Sequence, residues 1–195
     1  MFNGHFLKIN IMYHIAIISS SVRIGRNSHR VALFFKDYLE KNNLATAEII
    51  DLKEYNFPIF EERLSYLKDP LPAAVEFSEK IKSADGVIIV TPEYNGGYPP
   101  AIKNAIDLLY PEWYRKPVAI STASDGPFGG SQVITSLQFV LWKMRALTVP
   151  SMFPNPKVQE LYDEEGNPVK DSITKRADIF IGELIWYIRA VKSQH

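Results

Sequence analysis

"YHIAIISSSVRIGRNSHRV", residues 13–31, changes character halfway. Tyr13 to Ile18 is continuously apolar and β-branched, the pattern of a strand buried on both faces of a parallel sheet. From Ser19 onward the chain gathers Ser19, Ser20, Ser21 and Ser28, Arg23, Arg26 and Arg30, Asn27 and Gly25. Val31, Phe34, Phe35, Tyr38 and Leu39 then fall at i, i+3, i+4, i+7 and i+8, one apolar helical stripe. The helix begins near Asn27 or Ser28, with Arg30 expected on its surface. Two readings of the loop stand side by side. In one it is a solvated connection in which Asn27 or Ser28 caps the helix. In the other, Ser21, Arg23, Asn27 and Ser28 join the helix amides in a pocket for an anion, phosphate foremost.

The same alternation continues along the chain. Strands are predicted at 13–18, 46–51, 86–91, 117–122 and about 147–150. Helices are predicted from Pro72 through Ile81, from Pro100 to Leu109, over about 130–145 and over about 172–191. The segment 163–168, "DEEGNP", reads as a charged turn, solvated rather than catalytic, and Lys103 with Asp107 as a surface pair four apart on a helix. Alternating strands and helices imply an α/β fold with a parallel sheet. Right-handed crossovers leave few topologies. Five strands favour the doubly wound, flavodoxin-like order 2-1-3-4-5 with helices on both faces, over the six-stranded alternative. No repeat, low-complexity tract or linker divides the chain, so residues 1–195 are expected to form a single domain.

Composition narrows the chemistry. Lys plus Arg and Asp plus Glu are equal at 22 each, so no net field favours nucleic acid or an acidic membrane. The absence of cysteine removes disulfides, thiolate metal ligands and any cysteine nucleophile. His5, His14, His29 and His195 show no metal-ligand spacing. No apolar run reaches the ~18 residues of a membrane span. The N-terminus lacks a signal-peptide pattern, and a cytoplasmic location is expected. Residues 1–11 read as a loose extension, or Met12 as the natural start.

In open α/β sheets ligands bind beyond the carboxyl ends of the strands, where strand order reverses. In 2-1-3-4-5 order the loops after strands 1, 3 and 4 meet there. The second of these, "TPEYNGGYPPAIKNAID" (91–107), turns tightly through Pro92, Asn95, Gly96, Gly97, Pro99 and Pro100, and its glycines allow close backbone approach to a flat ligand. Tyr94 beside them is a candidate platform for a planar ring, or a core aromatic. The third, "TASDGPFGGSQ" (122–132), is glycine-rich and leads into another helix. Walker A, Gly-x-Gly-x-x-Gly and Gly-x-Ser-x-Gly patterns are absent.

These segments resemble the NADPH-dependent FMN reductase family, flavodoxin-like proteins that include quinone, chromate and azo-dye reductases. "SSVRIGRNS" (20–28) resembles the family's phosphate loop, "PEYNGGYPPAIKNAIDLL" (92–109) the loop that embraces the isoalloxazine ring, and "SDGPFGG" (124–130) the loop on the flavin's other side. The similarity runs from about residue 13 to 165. It implies that Ser21, Arg23, Asn27 and Ser28 hold the FMN phosphate, that Pro92, Glu93, Tyr94, Asn95 and Gly96 contact the ring, and that Ser124, Asp125 and Gly126 face it from the strand 4 side. Ser20, Gly97 and Pro100 depart from the family pattern, standing where glycine, serine and glycine are usual.

The resemblance further implies an oxidoreductase in which NADPH or NADH gives hydride to FMN and a small-molecule acceptor takes the electrons: a quinone, flavin, azo compound or metal oxyanion. No catalytic side chain is required, because the flavin carries the chemistry. Arg26 is a candidate for reaching a 2′-phosphate. A homodimer or homotetramer is expected, with Trp113, Tyr114 and Trp142 in the interface or the core. Two rivals stand beside this reading: a flavodoxin-like electron carrier, typically far more acidic than this neutral chain, and a non-enzymatic nucleotide- or phosphate-binding regulatory module.

Overall fold

The computed structural model describes residues 12–194. The expectation for residues 1–11 lies outside them. Five strands form one parallel sheet in the order β2-β1-β3-β4-β5. They are β1 (Tyr13–Ser19), β2 (Ala45–Asp51), β3 (Gly86–Pro92), β4 (Pro117–Ala123) and β5 (Leu147–Asn155). The helices are α1 (Ser28–Lys41), α2 (Leu52–Tyr55), α3 (Pro72–Ser83), α4 (Pro100–Leu108), α5 (Gln132–Lys143) and α6 (Asp171–Lys192). The order 2-1-3-4-5 is the one the sequence favours.

Side chains alternate across the sheet, so one strand feeds two cores. Ile15 and Ile17 of β1 join Ile88 and Val90 of β3 beneath α1 and α6, where Phe34, Phe35, Phe153, Phe180 and Tyr162 pack together. Their ring centroids lie 5.1–6.3 Å apart, the range in which aromatic pairs add to simple burial. Ala16 and Ile18 join Val87 and Ile89 on the other face, against Phe77 and Ile81 of α3, Ile102 and Ile106 of α4, and Leu137 of α5. Trp113 lies wholly inside this second core and donates from Nε1 to the Ile106 carbonyl at 3.1 Å, whereas Trp142 and Tyr114 stay exposed. Among the described residues no helix is long and apolar enough to cross a membrane.

Two elements depart from expectation. Strand β5 runs to Asn155 although Pro150 and Pro154 mark an end after 150. It is an edge strand, where a missing N–H costs little, and its register shifts opposite Val118 and Ile120. Glu183 of α6 accepts the Ser151 N–H at 2.9 Å and covers part of that edge. The 163–168 turn is charged but not merely solvated. Gly166 is buried at φ +86°, and a Cβ there would meet the Arg30 carbonyl and Leu33 Cβ of α1 at 2.7 Å. Lys103 and Asp107 do pair on α4.

Gly166 combines a left-handed backbone with contact against α1. Gly166→Ala is expected to cost about 2–4 kcal/mol, the sum of αL strain and overpacking. A urea unfolding midpoint equal to that of the unsubstituted protein would show that the turn does not dock.

Candidate functional site

Strands β1, β3 and β4 end at the same edge, and the loops leaving them enclose a cavity of about 270 Å³. Of the residues singled out in the sequence, Ser21, Arg23, Asn27 and Ser28, then Pro92, Glu93 and Tyr94, then Ser124 and Asp125 line it. Three do not. Asn95 and Gly96 are the exposed central residues of a two-residue turn, at φ +52° and +83°, closed by Tyr94 N–H to Gly97 carbonyl at 2.7 Å and the reciprocal bond at 3.1 Å. Two positive φ values identify a type I′ turn, for which Asn-Gly is the favoured sequence. Gly126 is exposed outside the lining, its carbonyl accepting from the Lys157 N–H and the Ser124 hydroxyl, both at 3.0 Å. Tyr94 is half-buried in the wall, and Phe128 projects into solvent.

The first loop is clamped from below. Arg26 places both terminal nitrogens on the Asp51 carboxylate at the end of β2 and donates from Nη1 to the Ser21 carbonyl at 2.7 Å. The Arg26 and Asp51 side chains are only 13% and 8% exposed, so this is a largely desolvated, bidentate pair. Arg26 is therefore committed inside the protein, which corrects the expectation that it reaches a 2′-phosphate. Arg30 is corrected too: its side chain is 23% exposed and it donates to the Tyr162 carbonyl at 3.0 Å, tying α1 to the segment after β5.

Burial pushes the Asp51 carboxyl up, but the hydrogen bonds from Arg26 and the Lys53 N–H, with the charges of Arg26 and His29, more than offset it. Its pKa lies below the usual carboxylate value. Burial, helped by Arg26, lowers the His29 imidazole, against the opposing pull of Asp51 and Glu54. Ser19, His29 and Asp51 do not form a nucleophile relay. The Ser19 hydroxyl at 3.0 Å and the Asp51 carboxylate at 3.7 Å both approach the same ring nitrogen, Nδ1, and Ser19 is buried.

At the start of α1 the side-chain cap does not form. Asn27 has helical dihedrals and makes no capping hydrogen bond. The helix thus begins at the cavity wall beside the hydroxyls of Ser21 and Ser28, the Asn27 amide and the exposed Arg23. That donor set fits a phosphate group: hydroxyls, a guanidinium and a helix N-terminus are the standard partners of phosphate oxygens.

The third loop is fixed from behind. Ser124 N–H donates to the Asn155 carbonyl and Val158 N–H to the Ser124 carbonyl, both at 3.1 Å. Asn155 is fully buried; its Nδ2 lies within hydrogen-bond distance of the Ser121 hydroxyl and the Thr122 and Phe153 carbonyls, and its Oδ1 accepts from Tyr162 at 2.8 Å. Burial raises the Tyr162 pKa, which keeps the phenol protonated as the donor. Gly25, Ala123 and Val158 also line the cavity without having been singled out by sequence, and Arg26, singled out for another role, lines it too. Gly25 and Arg26 stand inside the quoted loop, so their position was a usable signal. Val158 arrives from beyond β5, and no local pattern points to it.

Since the Asp51 pKa is lowered on folding, its ion pair stabilises the protein at neutral pH, and that stability is lost as pH falls through the folded value, below about 4. Asp51→Asn is expected to cost about 3 kcal/mol at pH 7 by leaving Arg26 buried without its charge partner. The gap between the two proteins in urea midpoint should narrow below pH 4. A gap that stays constant across that range would exclude Asp51 as the titrating partner.

Comparison with known proteins shows the family. The model for NADPH-dependent FMN reductase matches residues 13–160. A NAD(P)H-dependent FMN reductase of Saccharomyces cerevisiae is 31% identical over 140 residues, covering 65% of this chain and 72% of that protein. A quinone reductase of Escherichia coli is 35% identical over 136 residues, covering 67% and 69%. Among solved structures, the flavoenzyme NAD(P)H:(acceptor) oxidoreductase of Paracoccus denitrificans superposes with a TM-score of 0.72 at 23% identity, covering 93% of this chain and 98% of that one; at this identity the likeness speaks for the fold. With the fold, the three convergent loops and the family match in agreement, the chain belongs to the NADPH-dependent FMN reductase family, oxidoreductases that use FMN with NAD(P)H as donor.

Proposed function

We propose that this protein is an NAD(P)H-dependent quinone reductase with FMN held in the cavity at the ends of β1, β3 and β4. The observation that carries the placement is the uncapped start of α1, which meets Ser21, Arg23, Asn27 and Ser28 at one wall of that cavity. In this reading those four residues hold the phosphate. Pro92, Glu93 and Tyr94 form the wall against the ring, shaped by the turn at Asn95 and Gly96, while Ser124 and Asp125 close the opposite side, with the Gly126 carbonyl bracing the Ser124 hydroxyl. FMN bound there would supply the redox chemistry, hydride acceptance from NAD(P)H and electron delivery to a small acceptor. The protein would contribute orientation, and holding donor and acceptor in place supplies up to ~7–11 kcal/mol of barrier reduction from proximity.

A quinone is favoured as acceptor because curated relatives at 34–35% identity carry that name. A flavin, azo compound or metal oxyanion is the alternative within the same chemistry. The reading includes a homodimer or homotetramer, as the sequence resemblance implies, and the cytoplasmic location expected from the sequence.

The purified protein should be yellow, should bleach under anaerobic NADH or NADPH, and should recover colour on adding a quinone. A colourless protein that takes up no FMN would end the flavin reading. Slow bleaching with rapid electron exchange to a redox protein would make it a carrier. Arg23→Ala should weaken FMN binding by about 1.5–3 kcal/mol, the range for a hydrogen bond to a charged group. Unchanged affinity would remove Arg23 from the phosphate site.

A further inference from the structure

The Tyr94 phenol does not simply offer a face to a planar ring. Its hydroxyl lies 2.7 Å from Ser21 Oγ, bridging the loop after β3 to the loop after β1, residues 73 apart in sequence. Ser21 is 1% exposed, so its hydroxyl must find its partners inside the protein. A serine hydroxyl offers two acceptor lone pairs and one proton. The Arg23 N–H, which can only donate, lies 3.4 Å from Ser21 Oγ and takes one lone pair. A phenol is the stronger proton donor of the two hydroxyls in the Tyr94–Ser21 contact, and its donation fills the second lone pair. Both acceptor sites of Ser21 are then occupied, and the remaining position is its own proton, on a residue that lines the cavity.

We propose that Tyr94 is a positioning residue for phosphate recognition: it donates to Ser21 and thereby commits the Ser21 proton to a phosphate oxygen in the cavity. Arg26 acts from the other side by holding the Ser21 carbonyl at 2.7 Å, so backbone and side chain of the same serine are both fixed. Donation by Tyr94 also polarises the Ser21 hydroxyl, strengthening its own bond in a chain of two. The role assigned to Tyr94 rests on the flavin reading above but is separable from it, because it concerns only the phosphate end of FMN.

The test compares FMN with riboflavin, which lacks the phosphate, by quenching of flavin fluorescence in the purified protein stripped of flavin. Tyr94→Phe keeps the ring and removes the hydroxyl. It should raise the FMN Kd about five-fold, as for one neutral hydrogen bond, and leave the riboflavin Kd within about two-fold of the starting protein. Ser21→Ala should show the same split with a larger loss for FMN. The double variant should be no worse than Ser21→Ala alone, since the phenol acts only through that serine. Equal weakening of FMN and riboflavin by Tyr94→Phe would assign the Tyr94 hydroxyl to the ring end of the flavin and overturn the proposal. Unchanged or tighter FMN binding would mean that Ser21 donates to Tyr94, and losses that multiply in the double variant would mean that the two act separately; either overturns it. Failure of the starting protein to bind FMN would overturn the flavin reading and this proposal together.

Discussion

Burial of β1, β3 and β4 on both faces is the constraint from which the site follows. Strands sandwiched between helix layers tolerate aliphatic side chains and little else, as the run Ile15 to Ile18 and its neighbours Val87 to Val90 and Val118 to Ile120 show. Where the strands leave the sandwich, side chains change together. Ser19 pairs across to Val90 and Val90 to Ser121, while Thr91 stands opposite Thr122. Ser19, Ser20, Thr91, Ser121 and Thr122 are all buried, and they form a hydroxyl layer within one residue of the same level. Small polar side chains at this level stay close-packed, and three of them bond to the helix, strand and loop around them. Ser19 reaches His29 at 3.0 Å, Ser121 donates to the Phe153 carbonyl at 3.0 Å and Thr122 to the Gly129 carbonyl at 2.6 Å. The layer is the hinge between a sheet that cannot carry chemistry and loops that can.

Much of this was legible in the sequence because the signals are local. The apolar runs of β1, β3 and β4, the stripes of α1 and α6, and proline at the start of α3 and α4 each lie within one element. The order of elements then restricts topology and places three loops together. What stayed hidden involves partners distant in sequence. Arg26 reads as a free cation until Asp51, 25 residues on, is seen to bind it in a bidentate pair. Arg30 reads as a surface residue until the segment after β5 folds back and offers the Tyr162 carbonyl. Val158 enters the cavity by the same return path. The end of β5 was obscured for a different reason: proline is a stop signal in a central strand and a tolerated residue at an edge, and sequence alone does not say which strand is the edge.

The departures from the family pattern divide along the same line. Ser20 stands where glycine is usual, yet it is not among the residues with positive φ, so its backbone does not require glycine. Its burden is the hydroxyl, which is buried without a partner among the described residues, a condition that costs about 1–3 kcal/mol. Pro100 sits at the first position of α4, where a missing N–H is harmless and fixed φ is an advantage. Gly97 needs no side chain, because it serves through its backbone, exchanging both hydrogen bonds with Tyr94.

That last pairing connects residues that do not touch the cavity to one that does. Asn95 and Gly96 are outside the lining, but their left-handed dihedrals create the type I′ turn that pairs Tyr94 with Gly97. Pairing fixes the Tyr94 backbone just past the C-terminal end of β3, where Glu93 N–H is already tied to the Ala123 carbonyl at 3.3 Å. A phenol on that fixed backbone reaches Ser21, and Ser21 in turn is held by Arg26, which is held by Asp51. The motif that looked like a platform for a flat ring is thus one end of a chain of contacts running through the loop after β1 to the edge strand β2. Glycine and asparagine contribute to it as turn-formers, and the residue they position is the tyrosine.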